Sequence, residues 1–216
     1  MSATSYIWEW ISENIWKAII VPVIVTIMGI VSKQWLENRK NAKKKKIEFD
    51  YIEALSSIED VINELREVVI ELDDIDRALF FKGSNSGGEP KPGEPYYAQL
   101  IYPVTLEIDR DLILSKAYNR VPIDMRYYQI LREVIINKVY EFITKDEPDS
   151  LLKKIYVNEG VTHSLIYFLE MNEKVLFYIS FATSDGMISD KSRLHIEIQT
   201  IPKIQNILKK YTNGKK

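Results

Sequence analysis

Apolar side chains recur along residues 47–75 at Tyr51, Leu55, Ile58, Ile62, Leu65, Val69 and Leu72, in alternating steps of four and three. That spacing predicts a helix with a heptad seam. Val61 and Val68 widen the stripe, so the seam serves either a parallel dimer stalk or packing within one domain. Residues 77–82 form a short β-rich run, stopped by Gly83, Ser84, Asn85, Ser86, Gly87 and Gly88 and by a loop carrying Pro90, Pro92, Gly93 and Pro95. Residues 96–105 resume as a strand, with Pro103 marking an edge or an end. Residues 106–123 have no clear period. Asp124 reads as the cap of a helix whose apolar positions are Tyr127, Leu131, Val134, Ile135, Val139 and Phe142. Two strands follow, 161–169 and 174–182, with a connection of hairpin length between them. A final helix from about Lys191 presents Leu194, Ile198, Ile201, Ile204, Leu208 and Tyr211, bent at Pro202. This order predicts an α+β fold, an antiparallel sheet with flanking helices.

Ahead of that domain the pattern is different. Trp16 and Trp35 bracket an uncharged apolar run, 18–32, and their separation corresponds to roughly 28 Å of helix. That approaches the ~30 Å hydrocarbon core of a bilayer, with an indole at each interface. Lys17 and Lys33 sit where long stems reach headgroups. The expectation is a transmembrane helix over 15–35, with residues 5–13 of a short extracytoplasmic tail (1–14) lying along the outer headgroup layer. A buried or interfacial helix is the rival reading, because the uncharged run is short for a span. A cleaved signal peptide fits less well, since residues 1–14 hold Glu9 and Glu13 and no base. Arg39, Lys40, Lys43, Lys44, Lys45 and Lys46 form a basic collar (36–46) suited to anionic lipid. The positive-inside rule then places the N-terminus outside an inner cell membrane and the C-terminal domain in the cytoplasm, as a single-pass protein.

Charge and composition narrow the chemistry. Net charge is −2, yet the first 46 residues carry eight bases against three acids, so the remainder is acidic and no nucleic-acid partner is expected. The chain has no cysteine, which excludes disulfides, thiolate metal sites and a cysteine nucleophile. His163, in a strand, and His195, in the last helix, lack metal-site spacing. Glu107, Asp109 and Asp111 alternate, without the glycine and closing glutamate of a calcium loop. The 83–88 stretch lacks the Lys-Ser/Thr ending of a phosphate loop. The expectation is a non-enzyme with no metal and no cofactor.

The run 156–169 (Tyr156 through the Gly160 turn into the strand at Val161), the hairpin to 174–181 and the helix 191–212 together resemble the GAF domain family, and residues 76–88 and 121–128 are similar to a divergent GAF-like group of phage and bacterial proteins. The resemblance covers about residues 50–212. It implies a GAF-like domain (76–212) behind the heptad helix (47–75). It also implies a small molecule such as a cyclic nucleotide bound on one face of the sheet, and dimerisation through the first and last helices. The chain lacks both the cysteine that holds a bilin and the Asn-Lys-x-Asp-Glu type motif of phosphodiesterase modules. Candidate ligand contacts are His163 and Tyr167 on the sheet, Arg77 at the first strand, and Ser84 and Asn85 in a lid-like loop. The expected function is a membrane-anchored sensory module signalling through helix packing. The alternative is a dimeric platform recruiting a protein partner to the bilayer.

Overall fold

The computed structural model describes residues 21–85, 96–171 and 175–213. The chain divides into two compact units, Met1–Glu53 and Ala54–Lys216. Helix α1 (Val21–Glu71) begins in the first and ends in the second. In the first unit Lys33, Trp35, Arg39 and Lys40 are exposed, and the Arg39 guanidinium lies 4.3 Å from the centroid of the Trp35 ring. Lys43, Lys44, Lys45 and Lys46 lie within α1. Trp16, Lys17 and the tail 1–14 lie outside the described residues, as does the start of the expected span. The described part of the uncharged run, 21–32, covers about 18 Å of helix. Among the described residues no helix is long and apolar enough to cross a membrane.

The second unit is built on one antiparallel sheet. Its strands are β1 (Arg77–Asn85), β2 (Tyr96–Thr105), β3 (Val121–Pro122), β4 (Val139–Ile143), β5 (His163–Met171) and β6 (Leu176–Thr183), in spatial order β3-β2-β1-β6-β5-β4. One face packs against the end of α1 and against the C-terminal helices α5 (Asp190–His195) and α6 (Ile201–Asn213). The other is covered by α2 (Ile108–Ala117), α3 (Met125–Asn137) and α4 (Leu151–Asn158). Covered on both sides, β5, β6 and the Ala78–Phe81 stretch of β1 are mostly apolar on both faces rather than alternating, which is why they read as hydrophobic runs. Gly83 lies within β1 rather than in a loop, paired with Ala98 and Leu176, and a side chain there would meet the Tyr96 hydroxyl at 2.8 Å.

The first helix buries the later part of the expected seam, widened by Val61 and Val68, and leaves Leu55 exposed. Val61, Leu65, Val68 and Val69 are buried against Phe80, Leu165 and Phe181 of the sheet, whereas Leu55 is 53% exposed. The described helix therefore packs within its own domain, through Leu65 and Val69 of the seam together with Val61 and Val68. The third helix also stops earlier than its apolar period suggests. Lys138 adopts φ +69°, reverses the chain, and Val139 through Ile143 becomes the edge strand β4 beside β5. Positions 139 and 142 suit either period, and the β-rich Val-Tyr-Glu-Phe-Ile composition with a strand edge to join decides for strand.

At the C-terminus a π-helical turn (Ile196–Thr200) separates α5 from α6. Pro202 has no N–H to give the carbonyl four residues back, and the wider turn absorbs that loss, with the Ile201 N–H bonding to the Ile196 carbonyl. The extra residue shifts the helical phase. Ile196, Ile201, Ile204 and Leu208 are buried, while Leu194 and Ile198 are 57% and 64% exposed.

The packing of α1 makes a direct prediction. Leu65→Ala lowers stability by about 3 kcal/mol and Leu55→Ala by less than about 0.5 kcal/mol, read as urea unfolding midpoints. Equal costs would mean that the heptad seam is buried in a helix pair.

Candidate functional site

The sheet face beneath α2, α3 and α4 carries a concentration of buried hydroxyls and rings. β6 presents Tyr178 and Ser180 on it, β5 Ser164, and β1 Arg77 and Phe81, while Tyr118 follows α2, Tyr127 lies on α3 and Tyr156 on α4. The rings pack on one another: Phe81 stacks on Tyr178 at 5.1 Å and meets Tyr118 edge-on at 5.5 Å, and Phe142 meets Tyr156 edge-on at 4.7 Å. Their hydroxyls form two short networks. Tyr127 and Tyr178 bond to each other at 2.7 Å. Tyr156 bonds to Ser180 at 2.9 Å, and Ser180 to Ser164 at 2.8 Å. Burial pushes the phenols of Tyr118, Tyr127, Tyr156 and Tyr178 up, so all four stay protonated.

Arg77 is the charged member of this face and is fully buried. Its Nε donates to Asp76 Oδ1 at 2.7 Å, and its Nη2 donates to Ser184 Oγ at 2.5 Å and to the Glu159 carbonyl at 3.3 Å. Arg110 also donates to Ser184 Oγ, at 3.2 Å, and lies 3.8 Å from Asp76 Oδ2. Burial raises the Asp76 pKa, but hydrogen bonds from Arg77 and Ser184 and the charges of Arg77 and Arg110 outweigh it and hold the carboxyl below the usual range. Three buried side-chain groups stay without a hydrogen-bond partner among the described residues: Arg77 Nη1, which stands 3.9 Å from Glu159 Oε2, the Tyr118 hydroxyl and, after β4, the Thr144 hydroxyl.

The described sheet order and helix placement match solved structures. The GAF domain of a two-component sensor histidine kinase from Bacillus halodurans superposes with a TM-score of 0.50 at 12% identity, over 73% of this chain and 97% of that one. A red/green cyanobacteriochrome in its red-light-absorbing state gives 0.51 at 11% identity, over 74% and 98%. The GAF domain/HD domain protein from Geobacter sulfurreducens gives 0.50 at 9%, over 71% and 92%. The fold is GAF-like. No family model matches the chain, and no curated protein matches it.

The GAF-like sheet distributes the expected ligand contacts rather than gathering them. Arg77 alone belongs to the tyrosine-lined face. His163 is on the opposite face, where its Nδ1 accepts from the Ile188 N–H at 2.9 Å and its Nε2 lies 3.0 Å from Glu141 Oε1, which makes it a tie between β5, β4 and the loop ahead of α5. Tyr167 shares that face, buried under the terminal helices, and donates to Glu197 at 3.3 Å. Ser84 and Asn85 close the far end of β1, roughly 23 Å of strand from Arg77, paired with Tyr97 and Tyr96. Residues 86–95 lie outside the described residues. Glu107 precedes α2, and Asp109 and Asp111 lie in its first turn, with Asp111 accepting from the Thr105 hydroxyl at 2.8 Å. Among the described residues no three His, Cys, Asp or Glu side chains cluster as a metal site.

Sequence reasoning passed over Tyr118, Tyr127, Tyr156, Tyr178 and Ser180. The available signal was the interruption of two apolar strands by single serines, Ser164 and Ser180, one strand apart. A small hydroxyl in a strand buried on both faces needs a partner, and the tyrosines supply it.

Two predictions follow from this geometry. Tyr156→Phe removes the bond to Ser180, leaves the two serine hydroxyls bonded to each other, and lowers stability by about 0.5–1.5 kcal/mol, whereas Tyr118→Phe removes an unmatched group and leaves stability unchanged or up to about 1 kcal/mol higher, measured by urea unfolding. A large loss in Tyr118→Phe would contradict its unmatched state. For Asp76, the folded pKa lies below the unfolded value, so its contribution is complete above the unfolded pKa and disappears as pH falls through the folded one. Asp76→Asn therefore shows a shallower loss of stability below about pH 4 than the parent chain, read as thermal midpoints across pH. Parallel curves would rule that contribution out.

Proposed function

We infer that this chain is a membrane-tethered sensory module, in which the GAF-like domain binds a small molecule on the tyrosine-lined face and reports it through the packing of α1 and the terminal helices. The observation that carries the reading is the buried polar face itself. A domain with no ligand to recognise gains more from an apolar core than from a guanidinium and four phenols held in a water-poor interior. The likeness to a sensor kinase's GAF domain supports the fold level of this reading and leaves the ligand open. The module has no catalytic role in this account.

The tether rests on the sequence: the uncharged run between Trp16 and Trp35, the lysines at its ends, and the collar Arg39 to Lys46. It places the N-terminus outside and the domain in the cytoplasm. A second reading, a homodimeric platform that recruits a protein partner to the bilayer, is favoured by the exposed Leu194 and Ile198 on the C-terminal helices.

Native mass spectrometry of the full-length chain, recovered from carbonate-washed membranes without denaturation, tests the reading. The expected species is a homodimer carrying additional bound mass. An empty species with no thermal shift across a nucleotide and metabolite panel would sink the sensory role and leave the platform. Recovery in the wash supernatant would sink the tether.

A further inference from the structure

His163 is a buried titratable side chain that the tyrosine-lined face does not use. It sits at the start of β5 on the opposite face and is 1% exposed, yet both its ring nitrogens engage parts of the chain distant in sequence. Nδ1 lies 2.9 Å from the Ile188 nitrogen, and Nε2 lies 3.0 Å from Glu141 Oε1. A backbone N–H can only donate, so Nδ1 carries a lone pair. The ring proton is then on Nε2, where it is given to Glu141, and the imidazole is neutral.

A proton added to this ring has one place to go, Nδ1, and there it points at the Ile188 N–H. Two donors cannot share that contact. The imidazolium and the Ile188 hydrogen bond therefore exclude each other, and proton uptake is linked to release of the amide. The protonated ring is not left without a counter-charge, because Glu141 of β4 stands at Nε2. Arg193 of α5 lies 3.4 Å from the second Glu141 oxygen and is itself held by Glu197 at 3.0 Å. β6 presents the uncharged Thr183 directly across from His163. In the loop Asp185 engages Thr183 Oγ1 through its backbone, and Asp190 lies in the first turn of α5.

The Ile188 N–H is one of three amides in this loop pinned by side chains from elsewhere: Ser184 by Asp76, Ile188 by His163 and Ser189 by Asp74. Ser189 is the N-cap of α5, so the loop sets where that helix starts. Burial raises the pKa of both aspartates. Hydrogen bonds from Ser192 and Ser189 to Asp74, and from Arg77 and Ser184 to Asp76, outweigh it and hold both carboxyls below the usual range. These two anchors therefore stay ionised, and keep their amides, at pH values where imidazoles gain a proton. The histidine is the anchor that acid can open.

We propose that His163 is a proton-operated latch on the loop 184–189: neutral, it holds the loop through the Ile188 N–H, and protonated, it lets that amide go and leaves Asp74 to hold the start of α5. The latch is closed at neutral pH and opens as pH falls. It makes the approach to α5 respond to acidification, and it stands whether or not the tyrosine-lined face holds a ligand.

The test follows both partners in one sample, the full-length chain carrying 15N-labelled histidine and isoleucine, by NMR from pH 7.5 downward. His163 is assigned as the histidine signals missing from His163→Asn, and Ile188 as the amide missing from Ile188→Val. At pH 7.5 His163 is expected as the Nε2–H tautomer. As pH falls, its nitrogens are expected to take imidazolium shifts while the Ile188 amide moves and loses at least about tenfold in exchange protection relative to its intrinsic rate, with one midpoint for both. In His163→Asn, whose amide oxygen replaces Nδ1 as an acceptor without taking a proton, the pH response of Ile188 is expected to vanish. Glu141→Gln, at a side chain 41% exposed, keeps an acceptor for Nε2 and is expected to move the shared midpoint to lower pH. The Nδ1–H tautomer at pH 7.5, imidazolium formation with no change at Ile188, or a ring that stays neutral until the whole chain unfolds would each overturn the latch. An Ile188 response that persists in His163→Asn, or whose midpoint ignores Glu141→Gln, would assign the change to another group and overturn it as well.

Discussion

Burial of the central strands on both faces is the constraint from which the rest of this domain follows. Once α1, α5 and α6 cover one side of β1 and β6 and α2, α3 and α4 the other, the stretches 77–81 and 178–183 are buried throughout. Each polar atom there must be matched by protein. The two serines are matched by Tyr156, Tyr178 is matched by Tyr127, and His163 is matched at both ring nitrogens by Ile188 and Glu141. Arg77 is matched at all but one nitrogen. The incomplete matching of that residue and Tyr118 stands out because the rest of the face is so fully paired.

The same constraint explains how the edges are built. Asp124 caps α3 through the Tyr127 N–H and, with its other oxygen, takes the Leu151 N–H at 2.6 Å, so one carboxylate fixes the starts of α3 and α4 together. Glu147 is buried beside it and accepts from Arg126 at 2.9 Å and from the Tyr140 hydroxyl. These contacts hold the helical cover over the tyrosines and are satisfied within themselves, which separates them from the Arg77 region.

Much of the architecture was readable from residues. The hairpin of β5 and β6 showed in two long apolar runs with a short connection, and the first strand, the capped helix at Asp124 and the terminal helix in their periods. The misreadings share a physical origin: a local period cannot report the partner that decides it. Val139 and Phe142 continue a helical stripe as well as they form a strand, and only the free edge of β5 chooses between them. Leu194 and Ile198 fit the terminal stripe until Pro202 forces the π-helical turn and rotates them outward. Leu55 fits the heptad seam as well as Leu65 and Val69 do, yet those two, with Val61 and Val68, are buried against the sheet and Leu55 is exposed. The helix α2 has almost no amphipathic period to read, since Leu112 and Ile113 are exposed while Leu114 is buried. The candidate site suffered most, because a site on a sheet face is assembled from five separate elements, and only Arg77 carried a charge conspicuous enough to be singled out.

The position of Arg77 also bears on how a change at the tyrosine-lined face could reach the helices. The five residues 72–76 join the end of α1 to β1, and two of them are anchored on the other side of the sheet. Asp74 accepts from the Ser189 N–H at 2.7 Å and the Ser192 hydroxyl at 2.6 Å, at the start of α5. Asp76 accepts from the Ser184 N–H at 2.8 Å while holding the Arg77 Nε. Arg77 and Arg110 both donate to the Ser184 hydroxyl. A displacement of the guanidinium therefore acts on Asp76 and Ser184 together, and through the same short turn and loop on the junction of α1 with β1 and the start of α5. The polar contacts link the interior of one face to the helices packed on the other without passing through the apolar core, and close packing makes that core a poor medium for graded movement. The residues that make these links are the two aspartates that flank Ile75.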